Sequence, residues 1–392
     1  MAGDPIKEEL EAIKQASLYR RLRRVENDQG PLLVVDGREV INFSSNNYLG
    51  IANHPALAAA AKEAIDRYGC GSGASRLISG NMALHEELED RLAKFKGTEA
   101  ALVFNSGFQA NTGIIPTLAG EGDVILSDAL NHASIIDGCR LARAKTAVYE
   151  HCDLDRLETA LKQAAGARRK LIVTETIFSM DGDEAPLIGI VELAEKHDAV
   201  VMVDEAHATG IFGPHGAGVV SKLGLGDRVL VQMGTLGKAL GGFGAYVAGS
   251  GTLRELLINR CRSFIFTASL PPAIMAMALA AIDLVEREPE RREALWSNCR
   301  LLSEGLKNIG FSLGEVRSPI LPVIIGDADG CMRFSEQLIE RGVFAQGIRP
   351  PTVPWGTSRL RLTLMAAHSR DQIAKALGMF KEVKDQHGDV SR

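Results

Sequence analysis

Residues 5–24 carry apolar side chains at helical spacing (Ile6, Leu10, Ile13, Leu18, Leu22) and end in the basic run RRLRR, which predicts an amphipathic N-terminal helix. LLVVDGREVINF, residues 32–43, predicts a hairpin turning at Asp36-Gly37. From about residue 55, helical patterns such as ALAAAAKEAIDRY and HEELEDRLAKF alternate with the short apolar runs AALVF, DVILS, TAVYE, KLIVTE, AVVMVDE and RVLVQMG. These runs lack polar alternation, so each strand is covered on both faces. That is the pattern of an α/β protein whose central sheet is mainly parallel, with helices above and below. Ligands of such folds sit beyond the carboxyl ends of the strands. Pro271-Pro272 opens a long apolar helix, followed by the charged stretch EREPERREAL. The remainder predicts a helix, a strand (LPVII), a helix (CMRFSEQLIERG), a strand (VFAQGI), a Pro-rich turn, a strand (RLRLTL) and a final helix, a compact α+β unit. The expected division is a helix-and-hairpin segment at 1–44, a large domain at 45–285 and a small C-terminal α+β domain at 286–392.

Composition removes several classes of function. In 392 residues, 44 Lys and Arg against 49 Asp and Glu give a net charge of −5, without the basic surplus that phosphate-gripping proteins carry. Hydrophobic residues at 46% and charged residues at 24% describe a folded globular chain, not a disordered one. The longest clean apolar run, Ala273 to Ile282, falls short of the ~20 residues that a membrane span needs. The opening MAGDPIKEELEAIKQ is acidic and amphipathic, without the apolar block of a secretory signal. Six scattered cysteines with no CxxC pair lead us to expect reduced thiols, a cytoplasmic setting and no metal site.

Three strings mislead if read alone. Asp204-Glu205-Ala206-His207 spells a motif of nucleic-acid-dependent ATPases, but no GxxxxGK[ST] loop precedes it, since position 232 is Gln and position 239 is Ala. Gly310-Phe311-Ser312-Leu313-Gly314 fits the GxSxG nucleophile elbow but follows a helix, so it is read as a turn. His85-Glu86 begins like a zinc helix, but position 89 is Glu.

The chemistry gathers elsewhere. AVVMVDEAHATG ends a buried strand in Asp204, with His207 three residues on. A buried carboxylate needs a partner; taken alone, Asp204 reads most simply as a cap on the following turn. VLVQMGTLGKALGG ends another strand, with Thr235 and then Lys238 among Gly234, Gly237, Gly241 and Gly242. Alone, Lys238 is an ordinary surface lysine; desolvated among glycines, its amine can attack an aldehyde. Together, an Asp and a Lys at two strand ends supply both ends of a pyridoxal 5'-phosphate site, a carboxylate for the ring nitrogen and an amine for the aldehyde. Ser106-Gly107-Phe108, between AALVF and QANTGIIPTL, offers a helix start for the phosphate, Thr235 a hydroxyl, and His132 in SDALNHAS an aromatic cap.

The segments SSNNYLG (44–50), GSGASRLISGN (71–81), SDALNHASIIDG (127–138), ETIFSMDGD (175–183), VDEAHATG (203–210) and GTLGKALGG (234–242) resemble the α-oxoamine synthases, and the resemblance runs from about residue 5 to 385. It implies a fold-type I pyridoxal-phosphate transferase, with a large domain built on a mainly parallel sheet and a smaller C-terminal α+β domain. IRPPTVPWGTSRLRLTLMAAHS (348–369) and NFSSNNYLG resemble the branch that joins L-alanine to a pimeloyl thioester in biotin biosynthesis. The thioester carrier stays open between coenzyme A and acyl carrier protein. A relative using glycine and acetyl-CoA is the alternative, as is a protein that kept the fold and the cofactor but lost the reaction.

By that resemblance, Lys238 holds the cofactor aldehyde and later moves the substrate α-proton, Asp204 pairs with the ring nitrogen, and His132 stacks on the ring and faces the substrate. His207 bonds the ring oxygen, Ser179 touches the cofactor, and Gly107, Phe108 and Thr235 bind the phosphate. Thr267 in FTASLPP reaches the phosphate of a partner copy, which implies a homodimer with an interfacial site. Arg361 binds the amino-acid carboxylate, for which a guanidinium fork is suited, with Asn47 assisting. Arg20 and Thr352 contact the acyl substrate, although Arg20 lies in a basic run that reads equally as a solvated face.

Overall fold

The computed structural model describes residues 4–387; the ends of the first and last expected segments, 1–3 and 388–392, lie outside the described residues. The chain forms two compact units, one taking the chain through Gly50, Met180–Gly182 and the chain from Arg292, the other Ile51–Ser179 and Asp183–Arg291.

In the first unit, Asp4 caps the helix Pro5–Gln15 by accepting the Ile6 amide, 3.0 Å. The helix stops earlier than the pattern predicts. None of its residues is buried, so no packed face extends it; Ser17 turns left-handed (φ 57°) and Leu22 is fully exposed. Strands β1 (Leu32–Val35) and β2 (Arg38–Asn42) form the expected hairpin, with Asp36 and Gly37 both left-handed (φ 50° and 78°) as a tight two-residue turn requires.

The second unit is built on seven strands: β3 (Ala100–Phe104), β4 (Val124–Asp128), β5 (Lys145–Tyr149), β6 (Lys170–Glu175), β7 (Val200–Asp204), β8 (Val231–Thr235) and β9 (Ala245–Gly249). Their spatial order is β3-β9-β8-β7-β6-β4-β5, and β9 alone runs against its neighbours. The six apolar runs of the sequence are the six strands of one direction; β9, with the mixed stretch AYVAG, is an addition the pattern does not reveal. Leu102, Phe104, Ile114, Val173, Met202, Val231 and Met233 fill the core beside the sheet. Helix Pro272–Arg287 packs on helices Pro55–Tyr68 and Ala83–Lys96.

The rest of the first unit contains β10 (Ile320–Gly326), β11 (Val343–Phe344), β12 (Gly347–Ile348) and β13 (Ser358–Thr363). The run VFAQGI, expected as one strand, is two strands in different sheets: β11 pairs with β2 and β12 with β13. The break falls where the Gln346 amide turns to Ser44 Oγ (2.8 Å) and its carbonyl accepts the Arg361 amide (3.1 Å). No helix among the described residues is long and apolar enough to cross a membrane.

One ion pair lies fully inside the second unit. Lys96 meets Glu205 and the Ala217 carbonyl, while the other Glu205 oxygen accepts the Val220 amide at 3.0 Å. Burial alone would lower the Lys96 pKa, but the Glu205 charge prevails and raises it. Gly218, at φ 115°, is required there, since a Cβ would stand 2.5 Å from the Glu205 carboxylate. Lys96→Met should destabilise the protein by about 3–5 kcal/mol, because it strands a buried charge. Adding Glu205→Leu should recover most of that loss, as measured by chemical denaturation; equal stability of Lys96→Met and the parent would contradict the reading.

Candidate active site

The carboxyl ends of β4, β6, β7 and β8 are neighbours in the sheet, and each ends in or beside a polar residue. Asp204 closes β7 and is buried. Its Oδ1 accepts the Ala206 amide at 2.8 Å and its Oδ2 accepts Asn111 Nδ2 at 2.9 Å. Asn111 sits on the helix Gly107–Leu118 and also donates to Ser134 Oγ, 2.9 Å. Ser134 Oγ is in turn 2.8 Å from His132 Nδ1, which also accepts the Ser134 amide at 3.2 Å as the cap of helix Ala133–Leu141. Nδ1 is thus an acceptor, and this hydrogen-bond assignment puts the proton of the neutral ring on Nε2. Burial lowers the His132 pKa; Lys238 pushes it the same way, against the pull of Asp204.

Glu175, at the end of β6, lies beside Asp204 in register and is buried. One of its oxygens accepts the His132 amide at 2.6 Å, and the carboxyl also takes the Ser179 amide. Burial, then the Asp204 charge, hold its pKa well above the ordinary carboxylate range. The carboxyl therefore joins the turn bearing His132 to the turn bearing Ser179, which is itself buried.

Lys238 follows β8 in the glycine-rich loop, its Nζ 3.1 Å from Nε2 of the buried His207. Gly241 (φ 62°) lets this loop approach closely, as a Cβ there would come within 2.7 Å of the Ala52 amide nitrogen. At the other side of the site, Ser106 caps the helix Gly107–Leu118 through the Gln109 amide, 3.2 Å. A Cβ on Gly107 would lie 2.9 Å from the Thr235 methyl, so glycine allows the helix start to close on the end of β8. Amides of a first helical turn have no acceptor within the helix and attract anions. Phe108 is half-exposed, and Thr267 Oγ1 accepts from Asn105 Nδ2 at 3.2 Å, just before this helix start.

The predicted residues of this unit thus fall at one end of one sheet. Asp204 and Lys238 both act electrostatically on His132 and on Glu175, so the four share one neighbourhood. A primary amine, a buried carboxylate, two imidazoles, a helix start and a threonine hydroxyl fit pyridoxal phosphate group by group. Sequence reasoning missed Asn111, Ser134 and Glu175. Glu175 had a usable signal, a carboxylate ending an apolar strand, which is the argument that singled out Asp204; Asn111 and Ser134 had none.

The other predicted residues belong to the first unit. Arg361, on β13, is buried with Nη1 and Nη2 each 3.3 Å from Asn46 Oδ1. The buried Asn47 amide donates to the Gln29 carbonyl, 2.9 Å. Arg20 and Thr352 line a cavity of about 580 Å³, and Arg20 donates to the Pro350 carbonyl at 3.4 Å. Arg349, in the same wall, has its pKa lowered by burial and by Arg20.

The model of the family described as aminotransferase class I and II matches residues 38–380. The 8-amino-7-oxononanoate synthase of Symbiobacterium thermophilum is 52% identical over 386 residues, 98% of either chain. A variant serine palmitoyltransferase from S. paucimobilis, solved with bound pyridoxal phosphate and myriocin, superposes with a TM-score of 0.93 at 37% identity, covering 98% of this chain and 97% of that one. An 8-amino-7-oxononanoate synthase structure from Francisella tularensis gives 0.76 at 30% identity, over 89% and 99%.

Asn111→Leu tests the hydrogen-bonded line from Asp204 to His132. It removes a buried donor from the carboxylate, a loss of about 1–3 kcal/mol. Cofactor affinity, followed by absorbance titration of the apoprotein, should fall roughly 10- to 100-fold; an unchanged affinity in a folded variant would contradict the line.

Proposed function

The chain belongs to the aminotransferase class I and II family, and on that premise we propose that it condenses L-alanine with a pimeloyl thioester, releasing carbon dioxide and the free thiol and forming 8-amino-7-oxononanoate. The reading is supported by a relative of that name matching nearly the whole chain. The observation that carries it is the pairing of Lys238 with His207 next to a buried Asp204 at the end of the neighbouring strand. Pyridoxal phosphate, when bound, supplies an aldehyde for the amino group and a protonated ring that draws electrons from Cα.

The chain's own residues do the rest. Lys238 would hold the cofactor at its aldehyde carbon and would take the proton from the alanine Cα, and His207 orients its Nζ at 3.1 Å. Asp204 keeps a proton at the ring nitrogen, and Asn111 fixes the carboxylate for that task. His132, neutral through burial, covers the ring face without opposing the positive ring. Amides of Gly107 and Phe108 and the Thr235 hydroxyl hold the phosphate, with Thr267 contributed by a second copy, and Ser179 contacts the cofactor. Arg361 takes the alanine carboxylate with Asn47 beside it, and Arg20 and Thr352 take the acyl chain. The working form is a homodimer in the cytoplasm.

A second reading has one observation behind it, the closer superposition on a serine palmitoyltransferase. A thiol-release assay pairing alanine, glycine and serine with pimeloyl, acetyl and palmitoyl thioesters separates the two. Alanine with pimeloyl thioester should lead, with glycine reducing kcat/KM by roughly 10- to 200-fold, the range one methylene supplies, and serine, which adds a hydroxyl, by roughly 100-fold. Preference for serine with palmitoyl thioester would overturn the assignment and leave the family intact.

A further inference from the structure

An ionised cluster outside the residues assigned above joins two of the turns that carry them. The chain leaving β5 presents His151 between two carboxylates, with Nδ1 2.9 Å from Asp128 Oδ1 and Nε2 2.7 Å from Asp183 Oδ2. Ionised carboxylates only accept, so both ring nitrogens must donate and the ring is an imidazolium. Asp128 ends β4, four residues before His132, and also accepts the Leu130 amide (2.8 Å) and the Cys152 amide (2.9 Å). Asp183 closes the turn containing Ser179, its carbonyl accepting the Phe178 amide at 3.0 Å. The Phe178 ring stands edge-on to His151 at 4.4 Å. Cys152 also faces the ring, its Sγ 3.6 Å from Nε2, and burial raises its pKa so that the thiol stays neutral.

We propose that His151, as a cation held between Asp128 and Asp183, is a positioning residue that fixes the His132 turn against the Ser179 turn and thereby sets cofactor affinity. Glu175 joins the same two turns through their amides, and His151 joins them through their carboxylates. A neutral ring could donate to one carboxylate only and would set a lone pair against the other. Burial alone would lower the His151 pKa, but the two carboxylates outweigh it and push it up to about 12, so the cation persists across the working pH range. The proposal rests on the reading that His132 and Ser179 contact the cofactor.

The test is pyridoxal-phosphate titration of full-length apoprotein, read by absorbance and tryptophan fluorescence from pH 6 to 9, with far-UV circular dichroism as a check on folding. His151→Gln should weaken binding at least 10-fold, since the amide donates to one carboxylate and turns an oxygen to the other. Adding Asp183→Asn should restore much of that loss, because the carboxamide it introduces can donate to the glutamine oxygen; a purely destabilising pair of changes would not recover. Asp183→Asn alone should weaken binding about 3-fold and serves if His151→Gln does not fold. Wild-type affinity in folded His151→Gln, or in folded Asp183→Asn where that variant stands in, would overturn the proposal, as would a double variant no better than the single one. Failure of the wild-type apoprotein to bind the cofactor would instead overturn the functional reading beneath it.

Discussion

An isolated carboxylate is prohibitively expensive in an apolar interior, and this sheet places four of them at or just past neighbouring strand ends. Each is compensated differently. Glu205 has a buried lysine, Lys96. Asp128 has the His151 cation. Glu175 rests on two backbone amides and a pKa raised by burial, which favours its neutral form. Asp204 is hydrogen-bonded, among the described residues, by the neutral Asn111 amide and Ala206 N–H. Those donors orient the carboxylate, and on the proposed reading a protonated pyridine ring supplies the positive charge it faces, while Lys238 is held by His207 within the same neighbourhood.

The fold that creates these strand ends was largely legible, because strands covered on both faces must be continuously apolar. AALVF through RVLVQMG stand out for that reason. β9 did not, since Ala and Gly fill much of it and it pairs between β3 and β8 without a distinct apolar run. The split of VFAQGI was hidden because it depends on a partner distant in sequence, the Ser44 hydroxyl that takes the Gln346 amide. The N-terminal helix was over-extended because helical spacing reports amphipathicity and not whether a neighbour exists to bury it.

The site was legible where chemistry demands an unusual residue in an unusual place, a lysine among glycines or a carboxylate ending a buried strand. It was silent where common residues act through contacts. Asn111 and Ser134 are ordinary letters in a helical stretch, and only the folded chain shows them linking Asp204 to His132. Asp128, His151 and Asp183 lie far apart in sequence and become a cluster through the order β6-β4-β5. The same limit applies to Arg361, whose hold on Asn46 depends on pairing between distant parts of the chain.

The proposed chemistry depends on Asp204 facing a protonated ring nitrogen. The most direct measurement is the ¹⁵N chemical shift of pyridoxal phosphate labelled at the ring nitrogen, bound to the parent protein and to Asp204→Asn. The parent should show a protonated nitrogen throughout pH 6 to 9, and the variant should lose that proton near neutrality. A deprotonated ring in the parent, or identical shifts in the two proteins, would contradict the claim.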